Sequence, residues 1–169
     1  QRVFRRLAVF AGGTSLELAE AVLCGPDLDR WALLQALDGL AARSLLQVSG
    51  DAAPRYRLLE APLALARERL AAAPEGAAVH EHHARVLAAR LAAALDEVLA
   101  GRRSEDAFVR DAEPDLDNAR AALAWALQHD AALAVALARP LGTALTSRRL
   151  GEMIRLYDAT EPLLPQAAD

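Results

Sequence analysis

Lysine is absent from all 169 residues, so every one of the 19 basic side chains is arginine. A phosphate-cradling loop of the form G-x-x-x-x-G-K-[ST] therefore cannot be built from this chain. The exclusive use of arginine reads as coding bias more than as function. Cysteine is nearly as scarce: Cys24 stands alone, which excludes an internal disulfide, and no Cys/His cluster surrounds it. It is expected as a buried small hydrophobe in a reducing cytoplasm. Aromatic residues make up 4% of the chain, too few for a β-sandwich, whose strands draw on aromatic and β-branched side chains. No apolar run approaches the roughly 18 residues of a membrane span, and no signal peptide opens the chain, so no membrane contact and a cytoplasmic location are expected. The amphipathic pattern starts at once, at Gln1-Arg2-Val3-Phe4, as expected of a domain cut from a longer protein.

Hydrophobic residues reach 54%, and alanine supplies much of that share. An Ala-rich chain suits closely packed helices, because alanine loses no side-chain entropy there. The net charge is −4. Residues 1–60 hold seven Arg and seven acids, and the remainder holds 12 Arg and 16 acids. Neither half is basic, which withholds the electrostatic footprint of a nucleic-acid binder and makes nucleic acid an unexpected partner for this fragment.

Periodicity predicts a mainly α fold: a winged helix over residues 1–74, then antiparallel, tetratricopeptide-like helical pairs over residues 75–169. Val3, Phe4, Leu7, Ala8 and Phe10 fall near helical spacing until Gly12-Gly13 stops them. Thr14 with Glu17 reads as a capping box for a helix from Ser15 to about Leu23. Gly25-Pro26-Asp27 breaks it, and a third helix follows from Asp29 to Ala42. Ser44–Val48 and Arg55–Leu59 around a Gly50-Asp51-Ala52-Ala53-Pro54 turn predict a β-hairpin. Further helices are predicted near 62–73, 78–99, 104–111, 114–128, 131–147 and 150–158. Pro140 should kink or shorten the one that contains it. Residues 160–169, with two prolines, read as a linker or frayed end.

Three stretches in order resemble a known arrangement: Arg6-Leu7-Ala8-Val9-Phe10-Ala11-Gly12-Gly13 with Leu18-Ala19-Glu20-Ala21-Val22, Arg55-Tyr56-Arg57-Leu58-Leu59-Glu60, and Asp117-Asn118-Ala119-Arg120 running on to Leu127. With Ser44-Leu45-Leu46, they are similar to the region that follows the NB-ARC domain in bacterial STAND-type ATPase transcriptional regulators, a group that includes antibiotic-regulatory activators and large LuxR-type regulators. The resemblance runs over about residues 2–158. It implies that ATP or ADP is bound by an upstream domain and that no cofactor is held in this chain. The winged helix would pack on that domain, and the helical repeats would contact a protein or small ligand. Some members of that group carry Met-His-Asp at the end of the wing, where the His reaches the ADP phosphate. The matching positions here are Leu58, Leu59 and Glu60, so Leu59 and Glu60 mark a degenerate nucleotide-sensor position. Ala61-Pro62-Leu63 also departs from the Thr-Val-Arg that usually follows.

No catalytic set and no metal site emerge from the residues. His80-Glu81-His82-His83 lacks the His-Glu-x-x-His order of a zincin and offers too few ligands for structural zinc, so it reads as a solvated helix face with His83 partly packed. Asp115, Asp117 and Asn118 lack the Gly and Glu of a calcium loop and read as helix-terminal acids. Gly12-Gly13-Thr14 reads as a helix stop and start more than as an anion nest. Trp31 and Trp125 are expected as core anchors. The expected function is thus a non-catalytic regulatory module coupling a nucleotide switch to a helical sensor, with the other domains of the same protein as partners. Two alternatives stay open: a DNA-binding winged helix, in which Arg55 and Arg57 of the wing meet phosphate, and a small homo-oligomeric scaffold. The acids Asp29 and Asp38 on the would-be reading helix weigh against the DNA alternative.

Overall fold

Helix α1 covers Arg2–Arg6 and tightens into a 3₁₀ turn at Leu7–Val9. The chain then extends through Phe10 and turns at Gly13, whose φ is +78°. A Cβ at Gly13 would lie 2.9 Å from the Tyr56 carbonyl oxygen and 3.1 Å from Cβ of Arg57. Glycine is required there on both counts, since it alone takes that backbone angle freely and lets a strand approach so closely. These relations come from a computed structural model that describes residues 1–50, 53–145 and 149–167.

The next two residues differ from the expected capping box. Thr14 and Ser15 form a short strand, β1, and Ser15, not Thr14, caps helix α2 (Leu16–Leu23) by accepting the Leu18 N–H at 3.1 Å. Thr14 is fully buried and pairs with Tyr56. Helix α3 (Arg30–Ala42) starts at Asp29, whose carboxylate accepts the Ala32 N–H at 2.7 Å. Strands β2 (Leu46–Ser49) and β3 (Arg55–Leu58) make the wing, with Leu46 opposite Leu58. The sheet order is β1-β3-β2, antiparallel throughout, so the wing is tied to the helical part by a two-residue strand too short to show a period in the sequence. Asp51 and Ala52 of the expected turn lie outside the described residues. Helix α4 (Glu60–Ala71) follows and carries Pro62 in its first turn, where proline is tolerated.

Helix α5 runs from Gly76 to Leu99 and ends at Gly101, with φ +69°. Contacts divide the chain into units 1–83 and 84–169, whereas the sequence places its break at Pro74. In the first unit the core gathers Leu7, Phe10, Leu18, Leu33, Leu37, Leu58 and Leu70. In the second, α6 (Glu105–Ala112), α7 (Leu116–His129), α8 (Ala131–Leu145) and α9 (Leu150–Thr160) bury Phe108, Leu116, Leu137, Leu141 and Leu156. Fully burying one such leucine stabilises the fold by about 1.5–3 kcal/mol. Asp130 alone joins α7 to α8 and caps the latter through the Leu133 N–H at 2.9 Å. Ala119, Ala122 and Ala126 on α7 and Ala134 and Ala138 on α8 are all buried, and such small side chains let helices pack closely.

Helix α8 carries Pro140, buried, inside its span Ala131–Leu145; positions 146 and 147 of the predicted helix lie outside the described residues. One expectation for this unit is corrected. Residues 161–167 are not a loose tail. Glu161–Leu163 form a 3₁₀ turn and Leu164–Ala167 a last helical turn, α10, which packs on α8. Both prolines there sit in first turns, where no N–H is missed. Ala168 and Asp169 lie outside the described residues. Among the described residues no helix is long and apolar enough to cross a membrane.

Candidate functional site

In a winged helix the second helix of the helix-turn-helix pair presents its outer face, and here that helix is α3. Leu33 and Leu37 turn into the core, and Trp31, Gln35, Asp38 and Ala42 lie on the opposite side. Trp31 is therefore not a core anchor: it is 69% exposed. The cause is phase, because position 31 stands about 200° around the helix from position 33. Of the charges beside it, Arg30 is compensated, its Nε donating to Glu20 at 2.6 Å, whereas Arg43 at the C-terminal end donates to the neutral Gly39 carbonyl at 3.2 Å and keeps its charge. The outer face of α3 is thus a large aromatic side chain among polar neighbours, with an acid at Asp38.

On the wing, Arg55 and Arg57 alternate with Tyr56 and Leu58, which puts both guanidinium stems on one face of the sheet. Arg57 is exposed. Arg55 is half-buried and donates to the Gly13 carbonyl at 3.2 Å, so part of its hydrogen-bonding capacity fastens the wing to the turn before β1. Val48, on the partner strand, is an exposed apolar side chain.

Leu59 and Glu60 sit where the wing leads into α4. Leu59 is 42% exposed at the N-cap position, its N–H engaged by the Leu45 carbonyl at 3.1 Å, and Glu60 lies in the first helical turn. Leu59 has no side-chain donor, and a Glu60 carboxylate repels phosphate. These residues do not fit a nucleotide phosphate.

The histidine cluster is split by burial. His82 reaches the Ala21 carbonyl at 3.1 Å from an exposed position, whereas His83 is 1% exposed. The partial packing expected of His83 is in fact complete burial. Its Nε2 is buried without a hydrogen-bond partner, and burial first, then the nearby His80 and His82, hold its imidazole down at about 3. The spacing contained the signal: Val79, Leu87, Leu91 and Leu95 recur every four residues, and position 83 lies on that stripe. Cys24, expected in the core, is half-exposed at the end of α2. Burial, then the Glu20 and Asp29 carboxylates, raise its thiol against the opposing Arg30. Among the described residues no three His, Cys, Asp or Glu side chains are placed to hold a metal ion.

The second unit presents its own apolar face. Leu150, Ile154 and Tyr157 are exposed at helical spacing along α9, and Leu164 is exposed on α10. Trp125 is half-buried and stacks on His129, ring centroids 4.6 Å apart and planes within 5°.

No family model matches the chain, and no solved structure matches it. Over 131 residues it is 40% identical to proteins provisionally named HTH-type transcriptional regulators in Mycobacterium bovis and in two strains of Mycobacterium tuberculosis. The match takes in 76% of this chain, which spans only 14% of the length of those curated relatives.

Proposed function

We propose that this chain is a non-catalytic regulatory module of an HTH-type transcriptional regulator. Its winged helix docks on neighbouring domains of the same protein, and its helical unit serves as the input side. The observation that carries this reading is Trp31, two-thirds in water on the outer face of α3, where a large aromatic side chain is the kind of anchor that protein contacts bury. The compensation of Arg30 by Glu20 and the acid at Asp38 support it, because a phosphate-reading helix gathers uncompensated cations. In this reading any ATP or ADP belongs to an upstream domain, since Leu59 and Glu60 offer a phosphate nothing.

A second reading, duplex DNA contact, draws on two observations: the description of the relatives as HTH-type, and Arg55 with Arg57 on one face of the wing. The relatives give nucleic acid a support that the charge balance withheld. Fluorescence anisotropy of a labelled duplex at low salt separates the two. The docking reading expects no salt-sensitive binding by the chain. Binding that weakens with salt and with Arg57→Ala would put DNA contact in its place.

A further inference from the structure

In the second unit a groove of about 640 Å³ opens between α5, α8, α9 and α10, within the roughly 300–1,000 Å³ range of small-molecule sites. Leu95, Val135 and Pro140 line it with apolar surface, and Tyr157 and Leu164, both exposed, stand at its wall. Three carboxylates, Asp96, Asp158 and Glu161, share the lining with a single guanidinium, Arg139. Among the described residues none of these three carboxylates is in an ion pair. Pro140 adds a further acceptor, because it has no N–H to give the carbonyl of Ala136, one turn back and also in the lining.

We propose that this groove binds a small organic cation, a protonated amine on a compact apolar body. The inference rests on reading the helical unit as the input side of the module. The apolar lining takes the body. The three carboxylates and the Ala136 carbonyl offer more than enough acceptors for the ammonium's three donors, and the Tyr157 ring offers the π face on which cations settle. An anion of the same shape would meet three like charges.

The test is a titration of the 169-residue chain with three adamantane probes of one shape, followed by ¹⁵N–¹H NMR. They are 1-adamantanemethylamine, 1-adamantanemethanol and 1-adamantanecarboxylate. The amine is expected to bind roughly tenfold tighter than the alcohol, the sum of three exposed charge contacts, with the carboxylate weakest. Shift changes should cluster at Leu95–Asp96, Val135–Arg139 and Tyr157–Glu161. Asp158→Asn with Glu161→Gln should bring amine and alcohol close to equal. Ala136→Phe, at an exposed lining position, should abolish both without changing the far-ultraviolet circular dichroism. Equal affinity for amine and alcohol in the unaltered chain would make the groove a seat for an uncharged apolar group and overturn the proposal. So would tightest binding by the carboxylate, shifts confined elsewhere, or no binding. None of these results touches the docking of α3, which is read on its own amides.

Discussion

The Phe10 ring meets the His83 imidazole edge to face, centroids 5.3 Å apart and planes at 86°. A residue just before Gly12-Gly13 is thereby locked against α5, and the contact holds only a neutral imidazole comfortably, because charge in that apolar setting is unsolvated. The folded imidazole sits near 3, against 6.5 for an exposed one. Between those values the unfolded chain binds a proton that the folded chain does not, so stability is full above pH 6.5 and falls as pH drops toward 3. The slope from this group approaches about 1.4 kcal/mol per pH unit. Urea unfolding of the chain and of His83→Leu at steps from pH 7 to pH 4 should show the variant losing stability less steeply. At pH 7 the variant should be at least as stable, since it removes a buried nitrogen with no hydrogen-bond partner. Parallel curves for the two proteins would contradict the buried neutral state.

Gly13→Ala should destabilise the first unit by about 1–3 kcal/mol, through the strained backbone angle and the crowding of Tyr56. Thermal unfolding measures this. Gly25→Ala, where a Cβ meets nothing within 4 Å and φ is not positive, is the matched control and should change little.

Arg120 holds α9 to α7 by two hydrogen bonds to the Glu152 carboxylate, 2.5 and 2.9 Å long, with a third to Asp117 at 2.7 Å. About a third of each of the Arg120 and Glu152 side chains is in water, so screening limits the pair to about 1 kcal/mol. The Arg120 hydrogen bond, opposed by burial, holds the Glu152 carboxyl below its usual 4.5. Its stabilisation is therefore present above pH 4.5 and is lost as pH falls through the lowered value. Arg120→Met should lower the urea midpoint at pH 7, and its difference from the unaltered chain should shrink as the carboxyl is protonated. A difference that persists into strong acid would assign the effect to packing of the arginine stem.

Much of this architecture is legible from spacing. The hairpin, the Asp29 start of α3 and the Gly101 end of α5 all follow from turn and cap chemistry. What escaped was set by tertiary contact. Two-residue β1 has no period of its own and exists because β3 passes beside it. Trp31 and His83 follow helical phase against residue type: phase turns the tryptophan out to solvent, where its type predicts a core anchor, and the histidine fully in, where its type predicts only partial packing. The groove acids Asp96, Asp158 and Glu161 lie on α5, on α9 and just beyond it, and only folding brings them together.

Trp31→Ala should shift stability by less than about 0.5 kcal/mol, because an exposed side chain away from the core contributes little packing. With Trp125→Phe in the background, Trp31 is the sole tryptophan. Its emission in the isolated chain should be red-shifted and readily quenched by acrylamide. A blue, protected emission would place the ring in an interface within or between copies of the chain.

The docking of α3 is tested most directly by hydrogen–deuterium exchange across Arg30–Ala42, compared between this chain and the intact regulator proposed to carry it. The outer-face positions Trp31, Gln35 and Asp38 mark where protection should appear in the intact protein without DNA. Trp31→Ala should remove it. Equal exchange in both proteins, or protection that arises only when duplex DNA is added, would contradict the account.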